Sequence, residues 1–169
     1  MLVTPDDDEI IKCEQIACSL DLKAGQAVDR IGVMLGLKFP AGAELDKLAC
    51  NGVSPIKIKP VFKGLDCSLS GVENKAKMLF DKEESKENIA RYTIDFIKNT
   101  VLQMTLKLRE KYGNLPIVYS GGVMSNSIIR SELESIGGIF CEPKFSSDNA
   151  SGIALFSYLK HKKECNNGK

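Results

Sequence analysis

A buried strand that ends in paired glycines and reopens as a helix leaves a chain few architectures. Residues 117–126 read Ile-Val-Tyr-Ser-Gly-Gly-Val-Met-Ser-Asn. The apolar, β-branched run 115–119 follows Gly113-Asn114 and predicts a buried strand. Gly121-Gly122 break it, and Ser125 is the expected N-cap of a helix over Ser127–Ser135. Such a unit lets a ligand approach backbone N–H groups at the end of a parallel sheet. Asn126, in the first turn, offers an amide able to bond a ribose or a base edge. Two glycines serve a plain βα turn equally well, so from this stretch alone both readings stand.

Composition narrows the classes. Apolar content of 43% and charged content of 27% are those of an ordinary globular chain, and 169 residues can bury one good core. A net charge of +1 gives no global field for nucleic acid or membrane. Two small basic clusters, Lys57/Lys59/Lys63 and Lys160/Lys162/Lys163, could touch phosphate, with a solvated surface as the plainer reading. The six cysteines form no CxxC pair and suit reduced thiols in a cytoplasmic protein. No apolar run reaches the length of a membrane span. A single histidine, His161, excludes a self-contained site built on histidines.

In chain order, residues 2–4 and 9–18 flank a turn-like Pro-Asp-Asp-Asp and predict a β-hairpin. Strand-like sequence directly after Met1 suggests a piece of something longer. Residues 22–37 predict a helix with a core face of Ala24, Ala27, Val28, Ile31 and Leu35. Gly25, Asp29, Gly32 and Gly36 share an adjacent face. Since a helical glycine costs about 1 kcal/mol against alanine, something should approach closely there, another backbone or a ligand bonded to Asp29. A turn over 38–42 and a short helix over 44–50, carrying Asp46, follow. Residues 55–62 alternate apolar and basic, as an edge strand bounded by prolines would. A strand or turn over 67–71 leads to a helix over 73–80, then a charged linker over 81–88. A long helix Lys86–Tyr112 buries Ala90, Ile94, Ile97, Val101, Met104, Leu108 and Tyr112. A second parallel strand over 138–141 and a last helix over 147–159, N-capped by Asp148, complete an α/β layering.

Asp29 in its glycine stripe, Gly121-Gly122 with Asn126, and Asp148 at a helix start converge on one chemistry, the last two at the carboxyl edge of the inferred sheet. The blocks 25–49 (GQAVDRIGVMLGLKFPAGAELDKLA), 67–71 (CSLSG), 119–133 (YSGGVMSNSIIRSEL) and 147–158 (SDNASGIALFSY) are similar, in order, to the tRNA threonylcarbamoyladenosine transferase family, formerly called O-sialoglycoprotein endopeptidase or glycoprotease. The resemblance implies a ribonuclease-H-like lobe of the actin/Hsp70-type ATPase fold with a helical insertion. It implies a single C-terminal lobe: a hairpin over 1–20, the insertion over 21–112, a nucleotide-binding β-α-β-α part over 113–163 and a tail over 164–169. By the same resemblance Asp29 binds the ribose of an adenylate, Gly42 and Asp46 add nucleotide contacts, and Asn126 lies on the adenosine side. Asp148 matches a metal ligand.

The whole family protein is expected to carry one divalent metal, iron or zinc, and to transfer threonylcarbamoyl from an adenylate to a tRNA adenine, in some cases with other subunits of a tRNA-modification complex. This chain alone is expected to be incomplete and inactive, to hold no tight metal, and to keep weak adenosine-nucleotide affinity. Gln26 stands where an acid is usual, Glu73 where a lysine is usual and Ala150 where a glycine is usual. A divergent paralogue acting as a nucleotide-binding or partner-binding scaffold is the alternative, since a fold does not carry activity by itself. Ser54–Lys57 and Ser147-Asp148-Asn149 mimic two β-lactamase motifs, but Lys-Thr-Gly is missing. No Ser/Cys–His pairing supports a peptidase.

Overall fold

The computed structural model describes residues 1–7, 10–146 and 150–167. The chain opens with the expected hairpin: β1 (Leu2–Asp6) and β2 (Ile10–Glu14) pair antiparallel, Leu2 opposite Glu14. The second strand is shorter than predicted. Residues beyond Glu14 leave the ladder, and Ser19 instead bridges Cys67 in parallel. Helix α1 (Ala24–Met34) buries Ala27, Val28 and Ile31 on the predicted face. It ends before residue 37 because Gly36 takes φ +87°. The Gly36 N–H then donates to Val33 O and Leu37 N–H to Gly32 O, both at 2.9 Å, a Schellman stop.

Helix α2 (Gly42–Cys50) buries Leu45 and Ala49. The edge strand predicted over 55–62 is not formed: only β3 (Val61–Lys63) and β4 (Asp66–Ser68) pair there, antiparallel. Pro55 and Pro60 each lack the N–H a ladder needs, which outweighs the alternating pattern. Helices α3 (Ser70–Asp81) and α4 (Lys86–Tyr112) follow, the latter capped by Ser85 Oγ accepting from Asn88 N–H at 3.2 Å. Strand β5 (Val118–Tyr119), a 3-10 turn (Gly122–Ser125), α5 (Ser127–Ser135) and β6 (Ile139–Phe140) then form a βαβ unit. Its strands are parallel as predicted, with Val118 opposite Ile139 and Tyr119 opposite Phe140. A one-turn α6 (Pro143–Ser146) and α7 (Ala150–Asn167) close the chain. The expected N-cap Asp148 lies outside the described residues, and the helix runs well past 159 into the predicted tail.

The α4 helix is the axis of the core. Residues 92–97 are buried in succession, on every face, because α1, α2, α3 and α5 all pack around them. The predicted stripe holds at Ala90, Ile94 and Ile97 and loosens to partial burial at Val101 and Met104. Polar residues inside this helix are matched locally. Thr93, Thr100 and Thr105 donate to the carbonyl four residues back at 2.8–2.9 Å. Buried Asp95 pairs with Arg91 at 2.8 Å and Lys98 at 3.0 Å. Architecturally the chain is mixed α/β, and its described strands make three separate two-stranded sheets. All six cysteines are free thiols. Among the described residues no helix is long and apolar enough to cross a membrane.

One contact holds distant parts of the chain together without a sequence signal. Asp21 accepts from the N–H groups of Leu22 (2.6 Å), Leu69 (2.7 Å) and Ser70 (3.2 Å), and from Ser68 Oγ. It therefore caps the N-terminus of α3 from far along the chain. Burial works to raise the Asp21 carboxyl, but the bonds from Ser68, Leu69, Ser70 and Leu22 outweigh it and hold it well below the usual carboxylate range. A depressed folded-state pKa contributes stability that is complete above the unfolded value of about 3.9 and is lost as pH falls toward the folded one. Asp21→Ala should cost about 1 kcal/mol at pH 7, the lower part of the range for a lost cap because the site is open to water. Urea melts at pH 7 and pH 3 check it: the gap between wild type and variant should narrow at the lower pH.

Candidate functional site

Three elements meet around one cavity. The N-terminal turn of α1 supplies Gly25, Val28 and Asp29; the start of α2 supplies Gly42, Ala43 and Asp46 behind Pro40; the turn after β5 supplies Gly122, Val123, Ser125 and Asn126. Its volume is about 410 Å³, within the range of small-molecule sites. It opens beyond the carboxyl end of β5, where open α/β sheets take ligands.

Two carboxylates hold the walls in place. Asp29 Oδ1 accepts from the Ala41 N–H at 2.9 Å, clipping α1 to the residue that precedes α2. Asp46 accepts from Ser127 Oγ at 3.1 Å and from Ser127 N–H at 3.3 Å, clipping α2 to the first residue of α5. Each helix start thus receives an acceptor for a backbone N–H that the helix itself leaves unpaired. The glycine stripe of α1 resolves into different roles. At Gly32 the close partner is protein, since a Cβ there would stand 2.2 Å from Ala41 Cβ. At Gly25 a Cβ would come only within 3.9 Å of Val123 Cγ2, an ordinary contact.

The predicted N-cap of α5 is corrected. Ser125 lies within the 3-10 turn, and Asn126 caps instead, Oδ1 accepting from Ile128 and Ile129 N–H at 3.1 Å each. Asparagine serves because residue 126 is the first after the turn with extended backbone, φ −62°, ψ 131°. Its Nδ2 takes no partner among the described residues, and Asn126 is one of the residues that line the cavity. Gly121 stands behind the wall: at φ 105° it sets the turn, with its N–H donating to Ser146 Oγ at 2.8 Å and its carbonyl accepting from the same hydroxyl at 3.0 Å.

Of the residues singled out in the sequence, the cavity therefore gathers Asp29, Gly42, Asp46, Gly122 and Asn126; Gly121 shapes it from behind. Asp148, the expected metal ligand, lies outside the described residues. Among the described residues no group of three or more His, Cys, Asp and Glu side chains comes together to hold a metal ion. Sequence reasoning missed the apolar walls Val28 and Val123. Val28, between Gly25 and Asp29 on one helix face, was the findable one. Glu73, where a lysine was expected, pairs with Arg30 at 3.3 Å.

A cavity of this size, walled by helix starts beyond a parallel pair of strands, has the dimensions and position of a small-molecule site in an α/β protein. Residues 8–155 match the family described as tRNA N6-adenosine threonylcarbamoyltransferase, and the chain belongs to that family. It is 32% identical over 169 residues to the tRNA N6-adenosine threonylcarbamoyltransferase of Buchnera aphidicola subsp. Schizaphis graminum (strain Sg), covering 91% of this chain and 50% of that protein. Proteins of the same name from Riemerella anatipestifer (33% over 168 residues, 89% and 49% covered) and Thermosipho africanus (strain TCF52B; 33% over 178 residues, 96% and 53% covered) are similarly related. The chain spans about half the length of these curated relatives.

Proposed function

We propose that this chain is the adenosine-holding part of a tRNA N6-adenosine threonylcarbamoyltransferase, the C-terminal lobe of an actin/Hsp70-type fold with residues 21–112 as its helical insertion and 113–163 as its nucleotide-binding part. The observation that carries the reading is the convergence of Asp29, Gly42, Asp46, Gly122 and Asn126 on one cavity. Asp29 has one oxygen committed to Ala41, which leaves the other for a ribose hydroxyl. Asn126 Nδ2 can donate to a base acceptor. Gly42 and Gly122 allow backbone to approach the ligand. Among the described residues no lysine or arginine lines the cavity. Charge-assisted phosphate contacts are therefore assigned to the rest of the protein.

In the whole protein the exocyclic amine of a tRNA adenine attacks the carbonyl carbon of a threonylcarbamoyl-adenylate. The new N–C bond forms, the bond from that carbon to the phosphate oxygen breaks, the amine loses a proton and AMP leaves. This half contributes by fixing the adenosine of the donor, which is positioning. The family resemblance implies iron or zinc, and the described residues do not assemble a donor set for it.

AMP should bind with a dissociation constant between about 0.2 and 1 mM, roughly −4 to −5 kcal/mol. 2′,3′-Dideoxy-AMP should bind about tenfold more weakly, since a hydroxyl bond to a charged acceptor contributes about 1.5 kcal/mol. In Asp29→Asn, which keeps an acceptor for Ala41, the two ligands should bind alike. Calorimetric titration decides; equal affinity for both in the wild type contradicts the ribose assignment.

A further inference from the structure

Residues 53–60 form no helix or strand, yet the segment is pinned to α4 at both ends. A Cβ on Gly52 would stand 2.1 Å from the Glu87 carbonyl oxygen, and Val53 N–H donates to Asn88 Oδ1 at 2.8 Å. At the other end Lys107 Nζ lies 5.4 Å from the Phe62 ring centroid. From Asn88 to Lys107 the helix advances roughly 28 Å. Residues 53–62 span roughly 30 Å only when extended. The segment runs alongside α4 with a bend at Ile56, and from there to Lys59 its side chains alternate between faces. Ile56 and Ile58 pack against the core, while Lys57 and Lys59 are exposed.

Lys63 continues this outer edge as an exposed residue of β3, and Lys107 and Lys111 lie one turn apart at the end of α4. None of the five has an ion-pair partner among the described residues. The acids nearest in sequence are Asp66, which faces Lys63 across the strands and accepts from Cys18 N–H, and Glu110, between the two α4 lysines. On a chain of net charge +1, five ammonium groups without an ion pair, two of them over the Phe62 and Tyr112 rings, are a local feature.

We propose that this lysine edge is a docking surface for the phosphate backbone of an RNA, in this family the tRNA substrate. The inference rests on the functional reading above and adds a surface outside the cavity. Lys57 and Lys59 recur at roughly 7 Å along an extended segment, about two nucleotides of axial advance of one strand. Lysines bind phosphate as flexible point charges with three donors each. An acidic protein would demand a fitted apolar centre as well; between Lys57 and Lys63 the one large apolar residue exposed is Val61, and the other outward residues are lysines.

Fluorescence anisotropy with an end-labelled, unmodified tRNA transcript at 50–200 mM salt tests the proposal, using the full chain, Lys57→Ala/Lys59→Ala/Lys63→Ala, and the matching triple arginine variant. The alanine variant should lose at least about tenfold in tRNA affinity, with the slope of log affinity against log salt shallower by roughly 2. The arginine variant should keep both, and AMP should bind all three alike. An unchanged tRNA affinity and slope in the alanine variant overturns the docking surface. So does a wild type that does not bind tRNA, or one from which polyglutamate displaces tRNA as well as unlabelled tRNA does. AMP binding that survives those outcomes leaves the cavity reading standing; failure of AMP to bind removes that reading separately.

Discussion

Ile97→Ala should destabilise the chain by about 2–5 kcal/mol, the cost of removing a large side chain where the surroundings cannot collapse. Ile97 is 1% exposed and lies at the end of the stretch of α4 that is buried on every face. At that burial no single neighbour can move in to fill the space without opening a gap elsewhere. For a chain of this size the loss corresponds to a fall in Tm of roughly 5–20 °C. Leu106→Ala, on the same helix but 52% exposed, should stay within about 0.5 kcal/mol. Chemical denaturation of the two variants side by side is the check. Equal losses would mean that α4 is not the axis of the core.

Gly32→Ala should both destabilise the chain and damage the cavity. Alanine gains about 1 kcal/mol over glycine as a helix former. Here the added methyl would lie 2.2 Å from Ala41 Cβ, far inside contact distance. Overpacking of that kind costs about 1–3 kcal/mol or more, so a net loss is expected despite the propensity gain. The displaced residue is also the one whose N–H binds Asp29 Oδ1, so Pro40 and Gly42 on the cavity wall should move with it. AMP affinity should fall about tenfold, the size of one lost hydrogen bond to a charged group. Gly71→Ala is the control: nothing lies within 4 Å of a Cβ there, and neither stability nor binding should suffer. Equal tolerance at both positions would contradict the close approach of α1 to Ala41.

How far the sequence could be read depended on whether structure was encoded locally. The long helix and the strand–glycine–helix unit were legible because their apolar period and turn residues are written within a few residues of each other. The edge strand over 55–62 was misread because alternation alone does not make a ladder when Pro55 and Pro60 remove donors. Cap assignment failed by one residue: Ser125 and Asn126 are both good caps, and the 3-10 turn that decides between them has no distinct sequence signal. Asp21 escaped notice because its acceptors serve N–H groups far along the chain. In the cavity, acids flanked by glycines drew attention to Asp29, but its structural bond to Ala41 could not be foreseen. It is a wall fastening first, which leaves one oxygen for a ligand.

In the proposed function this chain holds the adenosine end of a nucleotide and leaves the phosphates to the rest of the protein. Chemical-shift mapping by NMR with AMP and with ATP tests it most directly. Shifts should cluster in residues 25–46 and 121–126, the two ligands should bind within about threefold of each other, and Asp29→Asn should weaken both alike. A strong preference for ATP, or no shifts in those segments at millimolar ligand, would contradict the account.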